Sequence, residues 1–352
     1  MILKDKRVVV TGGTGSLGMA LVRRLLSGQA GLPKKVVVFS RDEAKQHEMR
    51  LHYRHTVAAT DEIVYDNFSH LLEFVIGDVR DYHRVASVLR DADVVFNAAA
   101  LKQVPTCEYF PFEATQTNII GPENIVRAIQ EQRLPVETVV GISTDKACKP
   151  VNVMGMTKAV QERIFTSANI ANPRTRFICV RYGNVLASRG SVVPLFHHQI
   201  RTGGPVTITT EEMTRFLLSL EQAVDTVLEA VGHAERGETY VPQLRAARVV
   251  DLARALIGDR PIKISVTGIR PGEKVHEIMV SEEEIYRTVR RGDYYAIRSI
   301  LPELHTGAST EACLTREYTS ADEVMPYDEM VRLLEQHRLR IEDIKDGGEL
   351  LR

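Results

Sequence analysis

An α/β chain with a parallel, doubly wound sheet is what the sequence predicts, and three observations predict it. Six strand-like apolar runs (Arg7–Thr11, Lys35–Ser40, Leu72–Gly77, Asp93–Ala98, Val136–Ser143 and Arg176–Arg181) alternate with longer amphipathic segments, the rhythm of βαβ units. The runs are continuous in Val, Ile and Phe, as strands are when helices cover both faces of their sheet. The first run ends in VVVTGGTGSLG, a glycine-rich turn between a strand and a helix expected to begin near Ser16. After about Tyr182 the rhythm breaks into shorter elements rich in Gly and Pro, which predicts a smaller C-terminal lobe grafted onto the sheet.

The bulk composition narrows the class. A chain of 352 residues with 44% hydrophobic content can bury a large core, as one large domain or two of unequal size. Lys plus Arg total 45 and Asp plus Glu 46, so no broad field draws the chain to nucleic acid or an anionic membrane, and neither is expected as a partner. Cys107, Cys148, Cys179 and Cys313 lie far apart with no CxxC pair, which fits neither a disulfide framework nor a zinc cage. No signal-peptide pattern opens the chain, and no apolar stretch reaches the roughly eighteen residues a membrane span needs. The expected home is the cytoplasm. His197 and His198 are adjacent and would point about 100° apart on a helix, so no metal site is expected there.

Ligands on such sheets bind at the carboxyl ends of the strands, so the residues after each run are the first candidates. In the first turn Gly12 and Gly15 permit close approach of a pyrophosphate to backbone N–H groups, with Thr14, Ser16 and Leu17 alongside, and Gly18 lets helix and strand pack closely. Strand before and helix after make this a Rossmann-type dinucleotide turn. The second run ends in VVVFSRDE, where an NAD site places an acid against the ribose 2′-hydroxyl. Ser40 and Arg41 stand there, and an arginine suits a 2′-phosphate, so NADP is favoured. A shift of register would bring Asp42 or Glu43 into that place, and the same charges also suit a solvated helix start.

After the third run, GDVRD offers Asp78, with Val79 beside it, as an acceptor for an adenine amino group. After the fourth, Ala98, Ala99 and Ala100 are small enough for a cofactor to lie against the backbone, and Lys102 is placed toward the same crevice. The fifth is followed by GISTDKACKPVNVMGMTK. Thr144, Asp145 and Lys146 stand at its carboxyl end, and Lys158 lies on the next helix one turn after Met154 on the same face.

Taken together, TGxxGxxG, the Ala-rich strand end and the Ser/Thr strand end ahead of a YxxxK spacing, with Met154 at the tyrosine position, resemble the extended short-chain dehydrogenase/reductases. More narrowly, AAALKQVPTCEYFPFEA, STDKA, RYGNVLASRGSVVPLF, MTRF and RPGEK resemble the inverting UDP-N-acetylglucosamine 4,6-dehydratases of bacterial surface-polysaccharide synthesis. The resemblance covers roughly residues 4–300 and is weaker over the last fifty. VMGMTK, GDYYAI and EYTS are similar to the soluble capsule and O-antigen branch that has methionine in place of the catalytic tyrosine. Longer relatives carry N-terminal membrane helices, of which the sequence shows none. The implied organisation is an NADP-binding domain with the catalytic residues over 1–182, a nucleotide-sugar lobe interleaved with the sheet over 183–300, and a tail or latch over 301–352. A homo-oligomer, dimer or hexamer, is expected.

The implied reaction oxidises C4 of the hexose, eliminates water across C5 and C6, and re-reduces C6. It needs a base at C5 and an acid for the departing C6 hydroxyl. By the resemblance Lys146 is that base, its pKa lowered by burial and nearby positive charge, and Asp145 is the acid, its pKa raised by desolvation. Thr144 would bond the C4 oxygen and Lys158 the nicotinamide ribose. Met154 cannot accept the C4 hydroxyl proton, which falls to Asp145 or Lys146; it also reads as a flexible core filler.

On the substrate side, Lys102, Asn184 and the turn at Ser191 and Val192 would cradle a nucleotide diphosphate, with Arg215 and Arg270 on phosphate and Glu273 on a uridine ribose hydroxyl. Arg215, Arg270 and Glu273 each read equally well, taken alone, as a surface charge. Further epimerisation at C3 or C5 is open, and two alternatives stand beside the dehydratase: a UDP-hexose 4-epimerase and a catalytically silent NADP-binding protein.

Overall fold

The computed structural model describes residues 2–55, 70–186, 188, 191–305 and 312–343. Its first half is the expected alternation. Strand β1 (Arg7–Thr11) leads to helix α1 (Ser16–Leu26), β2 (Lys35–Ser40) to α2 (Glu43–His55), and β3 (Leu72–Ile76) to α3 (Tyr82–Leu89). After β4 (Val94–Asn97) come two short helices, α4 (Val104–Tyr109) and α5 (Pro111–Thr115), then one π-helical turn (Gln116–Ile120) and α6 (Gly121–Gln132). Strand β5 (Thr138–Ile142) runs into a 3-10 turn (Asp145–Ala147) and α7 (Val153–Ala171), and β6 (Arg176–Val180) closes the series.

Strand order explains where a ligand would go. The six strands lie parallel as 3-2-1-4-5-6, with Val9 of β1 opposite Val37 of β2 on one side and Val95 of β4 on the other. The order reverses between β1 and β4, and their carboxyl ends open the crevice such sheets use for ligands. Alternate residues of each strand enter different apolar clusters: Val8, Val10, Val36 and Val38 go to one face, Val9, Val37 and Phe39 to the other. Burial on both faces is why these strands read as unbroken apolar runs. Each such side chain contributes roughly 1.5–3 kcal/mol on leaving water. The predicted ends Gly77, Ala98, Ser143 and Arg181 are the first residues off the sheet's carboxyl edge, where the chain turns toward the crevice.

The second half builds a lobe and then returns. Strand β7 (Asn184–Val185), helix α8 (Val192–Arg201) and strands β8 (Val206–Ile208) and β9 (Thr214–Leu218) lead to α9 (Leu220–His233), which carries the chain back to β10 (Thr239–Pro242), parallel to β6. Strand β11 (Ala246–Arg248) pairs with β9, α10 (Val249–Ile257) follows, and β12 (Ile264–Val266) pairs with β8. Strand β13 (Ile278–Val280) and the short α11 (Glu282–Ile285) precede a hairpin, β14 (Thr288–Arg291) and β15 (Tyr294–Ile297), that extends the main sheet antiparallel to nine strands. The lobe has its own core of Val193, Phe196 and Ile200 against Leu252 and Leu256.

The tail packs onto this lobe. Strand β16 (Tyr318–Thr319) pairs antiparallel with β13, and helix α12 (Tyr327–Gln336) buries Met330 and Leu334 in the lobe core. The tail is further held by Tyr318 Oη to the Leu244 carbonyl at 2.7 Å and by His197 Nε2, 2.9 Å from the Leu339 carbonyl. Residues 306–311 and 344–352 of the expected latch lie outside the described residues. Among the described residues no helix is long and apolar enough to cross a membrane, and no three His, Cys, Asp or Glu side chains gather as metal ligands.

Candidate active site

The crevice at the β1 and β4 ends is shaped for a dinucleotide. Gly12 has φ +66°, and a Cβ on it would lie 2.7 Å from the Ala99 backbone. A Cβ on Gly18 would lie 2.6 Å from the Gly12 carbonyl oxygen, so only glycine lets turn and helix close together. Gly15 is the N-cap of α1 and no side chain caps that helix, which leaves its N-terminal positive end for an anion. Thr11 Oγ1 donates to Asn97 Oδ1 at 2.8 Å and accepts from Ala99 N at 3.2 Å, tying the two strand ends into one floor. Glycine positions filled by backbone and an uncapped helix start fit a bound NAD(P).

Around the expected adenosine end the candidates engage one another. Arg41 is exposed, with Nη1 3.8 Å from Asp78 Oδ2. Asp78 also takes Arg80 at 2.8 Å; burial works to raise its pKa, and the hydrogen bonds from Arg80 with the charge of Arg41 more than offset it. Ser40 Oγ accepts from Gln46 Nε2 at 3.1 Å. Asp42 is taken up locally, by Lys45 Nζ at 2.8 Å and Lys45 N at 3.0 Å, which hold its pKa low. Lys102 is exposed in the turn after β4.

The 3-10 turn after β5 carries Asp145 and Lys146, the expected acid and base. Thr144 Oγ1 donates to Asp145 Oδ1 at 2.8 Å, and Lys146 Nζ reaches the same oxygen at 3.0 Å. Asp145 is fully buried, and its other oxygen, Oδ2, has no partner. Lys146 Nζ also lies 3.3 Å from Glu277 Oε1, and Arg215 Nε lies 3.7 Å from that oxygen. The resemblance implies a lysine of lowered pKa, and the structure corrects this. Burial and Arg215 do push the pKa of Lys146 down, but Asp145 and Glu277 outweigh them and raise it above the ordinary lysine value. Lys146 rests as an ammonium between two carboxylates.

Helix α7 supplies the other side. Asn152 Oδ1 caps it through Gly155 N at 2.8 Å, and Asn152 Nδ2 donates to the Gly272 carbonyl at 2.7 Å, so one residue fixes the helix start and the RPGEK loop. Lys158 is buried and donates to Gln161 Oε1 at 2.7 Å; Gln161 Nε2 is bound in turn to the Ile142 carbonyl. Burial, only partly offset by Cys179 and Glu162, lowers the pKa of Lys158 to about 8. Met154, 5% exposed, packs with Cys107, Ala114 and Val104, as a core filler does.

On the lobe side, Asn184 Oδ1 and Ser191 Oγ are buried without partners, Ser191 heading α8, whose first residue is Val192, without capping it. Residues 187, 189 and 190 of the same turn lie outside the described residues. Arg215 spends Nη1 on the carbonyls of Thr214 and Val275, at 2.7 and 3.1 Å, which turns it toward Lys146. Glu273 Oε2 accepts from Thr209 Oγ1 at 3.1 Å, and Arg270 is exposed.

Two site residues escaped the sequence. Asn118, in the π-helical turn, holds the loop after β4 through Leu101 N and O, both at 2.9 Å, and reaches Thr157 Oγ1 on α7 at 3.0 Å. Glu277 is the other. It stands four residues past Glu273 in GEKVHE, and a second acid in that string was the only signal.

Comparison with known proteins agrees with this geometry. The family described as polysaccharide biosynthesis protein matches residues 8–299. A Rickettsia typhi protein named UDP-glucose 4-epimerase is 43% identical over 298 residues, 83% of each chain. The structure of Pen from Bacillus thuringiensis superposes with a TM-score of 0.85 at 34% identity, covering 96% of this chain and all of that one. The dTDP-glucose 4,6-dehydratase of Streptomyces venezuelae, 19% identical over 76% of this chain and 86% of its own, shares the fold with a TM-score of 0.64. With a family match over most of its length and relatives above 30% identity, the chain belongs to the polysaccharide biosynthesis protein family and is an extended short-chain dehydrogenase/reductase of the nucleotide-sugar dehydratase and epimerase type.

Proposed function

We propose that this chain is a C5-inverting UDP-N-acetylglucosamine 4,6-dehydratase that uses NADP and forms a UDP-4-keto-6-deoxy-L-hexose for a surface polysaccharide. The observation that carries this is the 3.0 Å contact between part-buried Lys146 and fully buried Asp145 at the end of β5. Elimination of water needs an acid and a base together, whereas oxidation and re-reduction at C4 alone need neither at C5 or C6. Bound NADP would supply the hydride acceptor at C4 and the donor at C6. Gly12, Gly15, Gly18 and the start of α1 would hold its pyrophosphate, Ala98 to Ala100 its nicotinamide side, Lys158 the ribose, and Arg41 its 2′-phosphate, Asp42 being occupied by Lys45.

The resting ion pair accounts for the chemistry through one proton. Its transfer from Lys146 Nζ to Asp145 Oδ1 leaves a neutral amine to take the C5 proton and a carboxylic acid to protonate the C6 hydroxyl. Exclusion of water by a bound sugar favours that neutral pair. Thr144 would orient the C4 oxygen. The unpartnered Asn184 Oδ1 and Ser191 Oγ, with Arg270 and Glu273, would receive the UDP moiety.

A second reading, UDP-hexose 4-epimerase, is favoured by the name carried by the Rickettsia relatives. NMR of the protein with UDP-N-acetylglucosamine in deuterated water separates the two. A C6 methyl signal with deuterium at C5 is the expected result; a C4 epimer with its hydroxymethyl group intact overturns the dehydratase.

A further inference from the structure

Any reaction that oxidises C4 must lodge the proton of the C4 hydroxyl until turnover ends, and position 154 offers no tyrosine for it. The described groups facing Lys146 are Asp145, Glu277, Arg215 and Lys274, contributed by the turn after β5, by β9 and by the segment leading into β13. Asp145 is committed to the leaving hydroxyl in the reading above. Arg215 and Lys274 are cations. Glu277 is the remaining acceptor: its side chain is 3% exposed, Oε1 lies 3.3 Å from Lys146 Nζ, and Oε2 is buried without a partner.

The position of Glu277 is built in. Its backbone N donates to Ser320 Oγ at 2.9 Å, Ser320 N donates to the Glu277 carbonyl at 2.8 Å, and Ser320 Oγ shares a 2.7 Å hydrogen bond with Thr214 Oγ1. Thr214 also meets His276 Nδ1 at 2.8 Å. Two chain segments far apart in sequence thus clamp a carboxylate that lies within 4 Å of Lys146 and Arg215, with Lys274 acting on it electrostatically.

We infer that Glu277 is a positioning residue that acts through Lys146, storing the proton released from the C4 hydroxyl, the task a tyrosine at position 154 would otherwise share. This rests on the C4-oxidising function proposed above, and the balance closes. A bound dinucleotide would supply the hydride acceptor when C4 is oxidised. The hydroxyl proton passes to Lys146 as Lys146 gives one to Glu277, so a carboxylate becomes a carboxylic acid and the lysine remains an ammonium. Lys146 then hands a proton to Asp145, takes the C5 proton as Asp145 protonates the departing C6 hydroxyl, and returns a proton to C5 when C6 receives the hydride. Glu277 finally reprotonates Lys146. The C4 hydroxyl proton and one water molecule are accounted for, and all three groups regain their resting forms.

The test has two independent readouts. In the substrate-free full-length protein, ¹⁵N-lysine NMR follows the titration of Lys146 Nζ. Glu277→Gln, close in shape to the native residue, is expected to lower its midpoint, and an unmoved midpoint overturns the coupling whatever the reaction is. With UDP-N-acetylglucosamine, Glu277→Gln is expected to lose about 10²-fold in kcat, the lower range for a lost acid–base group, with KM little changed. Glu277→Asp should recover part of that loss, which a merely structural defect would not. Wild-type kcat in Glu277→Gln overturns the proposal. The wild-type product, 4-keto-6-deoxy sugar or C4 epimer, decides separately on the dehydratase, since both reactions release the C4 hydroxyl proton.

Discussion

The carbonyl oxygen of Lys146 occupies the place where a Cβ on Gly155 would stand, so the turn bearing the acid–base pair rests directly on the first turn of α7. Gly155→Ala forces these two backbones apart. Because a misplacement of about 1 Å near reacting groups can cost 10²-fold in rate, kcat should fall by about that factor. Cofactor affinity should stay near wild type, since the Gly12 to Gly18 turn lies on other strands. Calorimetric titration of NADP beside steady-state kinetics reads both, and equal losses in the two would show that the helix as a whole had moved.

Arg41 and Asp42 differ in what they are free to do. Asp42 is bound by Lys45 through side chain and backbone, while Arg41 is exposed with only a 3.8 Å contact to Asp78. Arg41→Ala should therefore weaken NADP by about 10- to 100-fold, the worth of a hydrogen bond between charged groups, and leave NAD affinity unchanged. Equal weakening of both dinucleotides would remove Arg41 from the 2′-phosphate.

What could be read from the residues beforehand follows from the range of the forces involved. The six strands are written in local pattern, since burial on both faces demands unbroken apolar runs, and the cofactor turn is written in glycine spacing. Thr144, Asp145 and Lys146 are found by the rule that ligands sit at strand ends. The raised pKa of Lys146 was legible only in part: Asp145, the larger cause, stands beside it in the sequence, but Glu277, the second, comes from the far lobe and looks like one more charge in GEKVHE. Ser320 and Asn118 were hidden likewise: their roles lie in long-range hydrogen bonds that leave no periodicity.

Lys158 carries a signature in the pH dependence of stability. Its pKa of about 8 in the folded chain lies below the unfolded value of 10.5, so between those limits the unfolded chain binds more protons and stability rises with pH. The gap of about 2.5 units corresponds to about 3 kcal/mol as an upper bound, present as a cost below pH 8 and relieved above it. Lys158→Met should remove this rise and stabilise the cofactor-free protein near neutrality, while weakening NADP. Urea unfolding across that pH range measures it; a rise that persists in Lys158→Met belongs to another group.

Met154 lies where a tyrosine would restore the commoner arrangement, which makes Met154→Tyr a direct probe of how the site has adapted. The methionine is 5% exposed, closed in by Cys107, Ala114 and Val104, and a phenol there must displace packed neighbours or leave its hydroxyl unpaired. Overpacking of this kind costs about 1–3 kcal/mol, which denaturant unfolding will register. If the C4 proton takes the proposed route through Lys146 to Glu277, the new hydroxyl adds nothing the site lacks, and kcat should not rise. A variant that is as stable as wild type and turns over faster would show that the phenol reaches the C4 hydroxyl, and that the methionine is a loss rather than a substitute arrangement.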